Sequence, residues 1–109
     1  MSKLDLDYFE NVLMYKSLTD GTYLASIADF IKPDYFKNKA IASIFTIIKD
    51  FSEKRNKLPT ITEIKSYLVS DEQKSSFKEL VTSFNDIDKN LDSEELYDNT
   101  EQFLKEKAV

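Results

Sequence analysis

The stretch that decides the fold comprises residues 34–68, which read DYFKNKAIASIFTIIKDFSEKRNKLPTITEIKSYL. Its central part predicts one long helix, because apolar residues recur there at the i, i+3, i+4 and i+7 positions of a single helix face. We expect this helix to run from about residue 38 to residue 54 and to form the centre of the core. Its apolar stripe consists of Ile41, Ile44, Phe45, Ile48 and Phe51.

The sequence that follows the long helix carries a signal that ends this helix and a signal that begins the next one. The polar break Lys54-Arg55-Asn56-Lys57 places positive charge at the C-terminal end of the helix dipole. Further along, Thr60 and Glu63 have the spacing of a capping box, in which each side chain bonds the backbone N–H of the other residue. We therefore expect a short helix to begin directly after Thr60, with Ile61 and Ile64 facing the core.

Apolar residues at helical spacing predict four further helices around this stretch. They cover about residues 4–17, 22–31, 70–84 and 93–109, with a turn at 19–22 and a polar connector at about 86–92. The chain contains one Gly and two Pro, and this scarcity of helix-breaking residues favours an all-α fold. We expect a single domain over residues 1–109, a compact bundle of about six helices with its globule at about 4–85.

The residue types present exclude several kinds of chemistry. The chain has no Cys and no His, which rules out thiol nucleophiles, Ser-His-Asp triads and zinc sites built from these residues. A single Gly cannot form a glycine-rich phosphate loop. Adjacent acids such as Asp71 and Glu72 match the negative charge expected at a helix start. We expect no catalytic residue, no cofactor and no metal ion in this chain.

The connector alternates oxygen-bearing side chains as a calcium loop does, since residues 86–92 read Asp-Ile-Asp-Lys-Asn-Leu-Asp. The sixth position of such a loop requires Gly and is Leu91 here, and the twelfth requires Glu and is Tyr97. We therefore interpret the segment as a solvated connector. It leads into a helix that Asp92 caps, with Glu95 three residues later.

Charge and hydropathy limit the kinds of partner. The net charge of −5 and the single Arg, Arg55, disfavour sequence-specific DNA binding, and the phenylalanines beside the basic residues have core spacing. No segment has the length and apolarity of a signal peptide or a membrane span, so we expect no membrane contact. Tyrosine is enriched at protein interfaces, and Tyr8, Tyr15 and Tyr97 lie outside the regular stripes. These three are candidate partner contacts.

The order of these parts resembles the N-terminal domain of DnaB-family replicative DNA helicases, most closely the branch of the T-even-type phages. The resemblance rests on Pro33-Asp34-Tyr35-Phe36 after an apolar helix, on the Ile- and Phe-rich helix that follows, and on Pro59-Thr60-Ile61-Thr62 at the next helix. It covers about residues 8–104, and its motifs are specific as an ordered set. The core signature that it implies consists of Tyr35, Phe36, Ile41, Ile44, Phe45, Ile48, Phe51, Ile61 and Ile64.

The resemblance implies a non-catalytic assembly domain. In that family the domain contributes to the collar of a hexameric ring and helps to recruit primase or the helicase loader, in the cytoplasm of the phage's bacterial host. ATP and Mg²⁺ would bind only in a later helicase domain that residues 1–109 do not include. The last helix would begin a helical hairpin, and Tyr97, Phe103 and Leu104 would form an apolar patch for the other arm or a neighbouring subunit.

Two alternatives stay open beside the helicase domain. The helicase-binding domain of a primase is similar in fold, and flanking sequence separates the two: a Walker A motif downstream indicates a helicase, a primase core upstream a primase. The start at Met1 favours the helicase. The other alternative is a small stand-alone phage protein that binds a replication factor, for which the reading frame would stop near Val109.

Overall fold

Helices account for most of the chain in the computed structural model, which describes residues 5–87 and 92–108. The six α-helices of these residues confirm the predicted all-α bundle of about six helices. They are α1 (Leu6–Thr19), α2 (Gly21–Ile27), α3 (Lys39–Arg55), α4 (Ile61–Tyr67), α5 (Asp71–Ser83) and α6 (Ser93–Lys107). Short 3₁₀ helices follow α2 at Ala28–Phe30, precede α3 at Pro33–Tyr35 and follow α5 at Phe84–Asp86.

The central helix is α3, which contacts α1, α4, α5 and the 3₁₀ turn before it. Asn38 caps its start, because the Asn38 Oδ1 accepts the N–H of Ala40 at 2.8 Å. Asn56 ends it with φ of 54°, the one positive φ among the described residues. Asn tolerates this left-handed region because its short polar side chain can bond locally. The bounds of α3 therefore follow from two asparagines, one at each end.

The predicted stripe of α3 faces the core, together with most of the other signature residues. Ala42, which the stripe omitted, is also buried. Tyr35, Ile41 and Ile61 are half-buried and pack against the core. The buried signature residues are Phe36, Ile44, Phe45, Ile48, Phe51 and Ile64.

The second helix is shorter than predicted. Its α-helical part ends at Ile27, and the chain continues as a 3₁₀ helix instead of an α-helix to Ile31. Lys32 is extended, with φ of −103° and ψ of 149°, as the residue before a proline usually is. A tightened 3₁₀ turn is common where an α-helix ends. The helix thus ends before Pro33, as expected, but residues 28–30 form a 3₁₀ helix where a last α-helical turn was predicted.

The residues predicted as a turn before α2 include its cap. Asp20 is extended, and its Oδ1 accepts the N–H groups of Thr22 at 3.0 Å and Tyr23 at 3.1 Å. Gly21 is the first residue of α2 and has no positive φ. The connection from α1 to α2 is therefore a single capping residue.

Two capping boxes fix the pair formed by α4 and α5. In the predicted box, Glu63 N–H donates to Thr60 Oγ1 at 3.1 Å and Thr60 N–H donates to Glu63 Oε1 at 2.9 Å. The side chains of Ser70 and Gln73 form the equivalent box at the start of α5. Gln73 Nε2 also donates to Ser43 Oγ at 3.0 Å, which ties the start of α5 to α3.

The last helix packs against α1 and is also bonded to α2. Asp92 caps it as predicted, because Asp92 Oδ2 accepts the N–H of Glu95 at 3.0 Å. The hydroxyl groups of Tyr23 and Thr100 form a buried hydrogen bond of 2.8 Å. Burial raises the pKa of Tyr23 to about 12. These contacts make α6 part of the globule.

Candidate interaction surfaces

An apolar groove runs between α4 and α5. Leu68 and Phe77 are buried at its base, and its walls carry the half-buried side chains of Ile61 and Val81. Its volume is about 470 Å³. Small-molecule sites in proteins are typically clefts of roughly 300–1,000 Å³ with a mostly apolar lining. The α4–α5 groove has both properties.

Three lysines line the same groove. Lys65 comes from α4, and Lys74 and Lys78 come from α5, where they are four residues apart. All three are exposed, and none forms an ion pair with another residue of 5–87 or 92–108. Lysine stems add apolar surface while the ammonium groups stay in water. The α4–α5 groove is therefore an apolar centre with a cationic rim, in a chain of net charge −5.

A second depression, of about 280 Å³, lies at the end of α3 and includes Lys54. Its two aromatic residues contact each other, since the ring of Tyr67 packs edge-on against that of Phe51 with 6.3 Å between the ring centroids. The Arg55 guanidinium lies 5.9 Å from the Phe51 ring centroid. Phe51 is buried, and Asp50 adds negative charge to the lining. Lys54 and Arg55, basic residues of the predicted break after α3, thus lie beside two aromatic rings that pack against each other.

The three tyrosines predicted as partner contacts lie in different surroundings. Tyr8 is 42% exposed and lines a small depression between α1 and α6. Tyr97 is 41% exposed, with its ring centroid 5.6 Å from that of Tyr23. Tyr15 is half-buried and packs edge-on against Phe84 at 5.3 Å. Tyr8 and Tyr97 therefore remain available to a partner. Tyr97 belongs to α6, and Tyr8 lies beside α6 on α1.

Phe103 is fully buried, so the expectation that it belongs to an exposed apolar patch is wrong. Its ring centroid lies 5.6 Å from that of Phe9 on α1, and the Lys107 Nζ lies 5.7 Å from it. Leu104 is half-buried against the core. The patch predicted on the last helix is thus reduced to Tyr97, because α6 lies on α1 and turns its other apolar residues inward.

The side chain of Glu10 is buried, although no prediction from the sequence singled it out. Glu10 is 7% exposed, and its Oε1 accepts the N–H of Lys37 at 3.2 Å. Its Oε2 has no hydrogen-bond partner among the described residues and lies 3.9 Å from Lys107 Nζ. Burial, opposed by the Lys37 hydrogen bond and the charge of Lys107, raises the pKa of Glu10 above its ordinary value. The signal in the sequence was its position on the same helix stripe as Leu6 and Leu13.

Glu10→Gln is expected to flatten the pH dependence of stability. Because the pKa of Glu10 is raised in the folded chain, the unfolded chain releases this proton at lower pH. The stability contributed by the protonated carboxyl is therefore complete below its ordinary pKa of 4.5 and is lost as the pH rises through the raised folded value. Urea denaturation across this pH window measures the effect.

The matched control for this variant is Glu79→Gln. Glu79 is exposed and lines the same depression of about 310 Å³ as Glu10, so its variant makes the same change of charge outside the core. A Glu10→Gln profile as steep as that of the parent would contradict the assignment of this pH dependence to Glu10.

Within residues 5–87 and 92–108, no three acidic side chains are grouped so that they could hold a metal ion. The calcium-loop alternative depends on residues 88–91, which lie outside the described residues. None of the described helices combines the length and apolar character that crossing a membrane requires.

The fold and its surfaces define an all-α helical domain with one apolar, lysine-rimmed groove and exposed tyrosines beside α6. No protein-family model, curated protein or solved structure matches the chain. The resemblance to the DnaB-family helicases at residues 33–36 and 59–62 therefore stays a prediction from the sequence.

Proposed function

We propose that this chain is a non-catalytic interaction domain of a phage replicative DNA helicase of the DnaB family, acting in the cytoplasm of the bacterial host. In this role it contributes to the collar of the helicase ring and recruits primase or the helicase loader. The observation that carries the interaction role is the α4–α5 groove, with its apolar centre and cationic rim. The domain acts by burying surface against other proteins.

The positions of the two quoted motifs support this family. Pro33–Tyr35 forms a 3₁₀ turn shortly before α3, and Thr60 caps α4 shortly after it. Both motifs thus stand at helix boundaries around the central Ile- and Phe-rich helix, in the order that the resemblance implies. Buried Phe36 and Ile64 link the two motifs to the common core.

The distribution of surface features supports more than one partner. Protein interfaces combine an apolar centre with a polar rim and are enriched in aromatic residues. The α4–α5 groove has an apolar centre and a polar rim, while Tyr97 on α6 and Tyr8 beside it provide exposed aromatic rings. Two separate surfaces suit a domain that contacts a neighbouring subunit and also a recruited protein.

Titration with primase tests the proposal. We expect the fluorescently labelled chain to bind the primase of the same phage saturably, as followed by anisotropy. Tyr97→Ala should weaken this binding about tenfold, since truncating a well-packed interface aromatic typically costs more than about 1 kcal/mol. Lys32→Ala removes an exposed side chain that is not part of α6 and serves as the control, with parental affinity.

Three results bear against the proposal. Absence of saturable binding to primase, loader and helicase subunits would contradict it. Unchanged affinity of Tyr97→Ala would place the contact on another surface. Light scattering of a version extended through the hairpin should show self-association, and a strict monomer at high concentration would remove the collar role.

A further inference from the structure

We infer that the α4–α5 groove binds an acidic amphipathic helix supplied by another protein. The inference rests on the proposed interaction role and names the chemistry of the partner. A groove between two helices commonly receives a third helix, which buries the apolar side chains of one face at i, i+3, i+4 and i+7. Ile61 on one wall and Val81 on the other give such side chains an apolar place between them.

The charge of the α4–α5 groove specifies an acidic occupant. Its lysines stand on both walls, Lys65 on α4 and Lys74 with Lys78 on α5. A partner helix must therefore present carboxylates on both flanks of its apolar stripe. Pairs of a groove lysine with a partner carboxylate raise the association rate and disfavour partners with a positively charged surface.

The lining of the α4–α5 groove differs in charge from that of other depressions among the described residues. Four other surface depressions are each lined by at least one carboxylate, whereas no acidic residue lines the groove. The chain has five more acidic than basic residues (20 against 15), and the groove differs from these four depressions in having three cations and no anion in its lining. The carboxylates of the other depressions include Glu10, Asp50, Glu53 and Glu95.

A nucleic acid fits the α4–α5 groove less well than a protein helix. Proteins that bind single strands stack bases on accessible aromatic rings. The aromatic residue in the lining, Phe77, is 1% exposed and has no free ring face. The half-buried residues that remain accessible, Ile61 and Val81, are aliphatic and match aliphatic or aromatic protein side chains.

The last helix of a second copy is also acidic, but its apolar face is already buried against its own chain. Its first turn carries Glu94 and Glu95. Leu96 is 5% exposed and Phe103 is fully buried against the same chain, which leaves Tyr97 as its large exposed apolar side chain. A helix that offers one ring cannot fill a groove with two apolar walls, so the occupant comes from a different protein.

Nuclear magnetic resonance with a synthetic helix tests this inference. The probe is a capped peptide of about 18 residues, with Leu at i, i+3, i+4 and i+7 and Glu at the flanking positions, long enough to form a helix once bound. Titration into the ¹⁵N-labelled chain should shift the amide resonances of α4 and α5, with saturation at a peptide concentration on the order of 100 µM. A peptide with Lys in place of every Glu should not saturate.

Charge reversal on α5 provides the matched pair of variants. Lys74→Glu with Lys78→Glu should weaken binding of the acidic peptide about tenfold, as expected for two lost charge pairs. Lys32→Glu with Lys39→Glu makes the same change in net charge at exposed positions outside the groove and should stay within about twofold of the parent. Lys65→Glu gives an independent test on α4 if the double variant does not fold.

Five outcomes would overturn the inference. The first four are equal binding of the Lys peptide, shifts outside α4 and α5, full affinity of the groove variants, and groove shifts that grow with chain concentration alone. The fifth is oligothymidylate that binds the groove more tightly than the acidic peptide. The result is separable from the proposed function. Peptide binding without binding to primase, loader or helicase subunits keeps the groove site and removes the helicase role, and the reverse result removes only the groove site.

Discussion

Phe103→Ala is expected to lower the free energy of unfolding by about 3–5 kcal/mol, the usual cost of truncating a buried Phe to Ala. The ring is fully buried, 5.6 Å from the ring of Phe9 between centroids. Its removal loses the burial of the ring and leaves a cavity between α1 and α6. Because total stability is typically about 5–15 kcal/mol, urea denaturation followed by circular dichroism should show a large shift of the midpoint.

Tyr97→Ala is the matched variant on the same helix. Its ring is 41% exposed, so we expect its removal to cost about 1 kcal/mol or less. If Phe103→Ala also left the free energy of unfolding within about 1 kcal/mol of the parent, α6 would not be docked on α1 through this ring. That result would favour the exposed patch that the sequence suggested.

The inner face of α6 was hidden by its polar residues. The helix buries Leu96, Thr100 and Phe103, which have the i, i+4, i+7 spacing of one face. A polar residue interrupts this stripe, and the sequence-based prediction placed Phe103 in an exposed patch with Tyr97 and Leu104 instead. The choice between the two depends on Phe9 and Tyr23, which lie more than 70 residues away in the sequence. Local spacing cannot resolve such a choice.

Local signals did predict the centre of the fold. The five apolar residues of the α3 stripe recur at helical spacing, and the observed helix at Lys39–Arg55 differs by one residue at each end from the prediction. The Thr60 capping box is equally local, because both of its partners lie within four residues of chain. Features of this kind depend on neighbouring residues alone, which is why the sequence reveals them.

The candidate groove required the tertiary structure. Lys65 is nine residues from Lys74 and belongs to a different helix, so their common surface depends on how α4 and α5 pack. The short link between the two helices holds them together, since Gln73 Oε1 accepts the N–H groups of both Val69 and Ser70. Glu10 and Lys107 are likewise brought to 3.9 Å only by the packing of α6 on α1.

Thr100→Val is expected to lower the free energy of unfolding by about 1–3 kcal/mol, the cost of leaving a buried polar group unpaired. Tyr23 and Thr100 are 0% and 2% exposed. Thr100 has one hydroxyl hydrogen, which it donates to the Leu96 carbonyl at 2.8 Å, so the Tyr23 hydroxyl donates to Thr100 Oγ1 at 2.8 Å. Valine keeps the shape of threonine but removes this acceptor.

Tyr23→Phe completes a double-mutant cycle with Thr100→Val. It should cost less, about 0.5–1.5 kcal/mol, because Thr100 keeps its bond to Leu96. In the double variant no phenol is left unpaired, so we expect it to recover about 1 kcal/mol relative to Thr100→Val alone. Urea denaturation of the four proteins gives the coupling energy. Strictly additive losses would contradict the bond, because two side chains that share a buried hydrogen bond between α2 and α6 must show coupling.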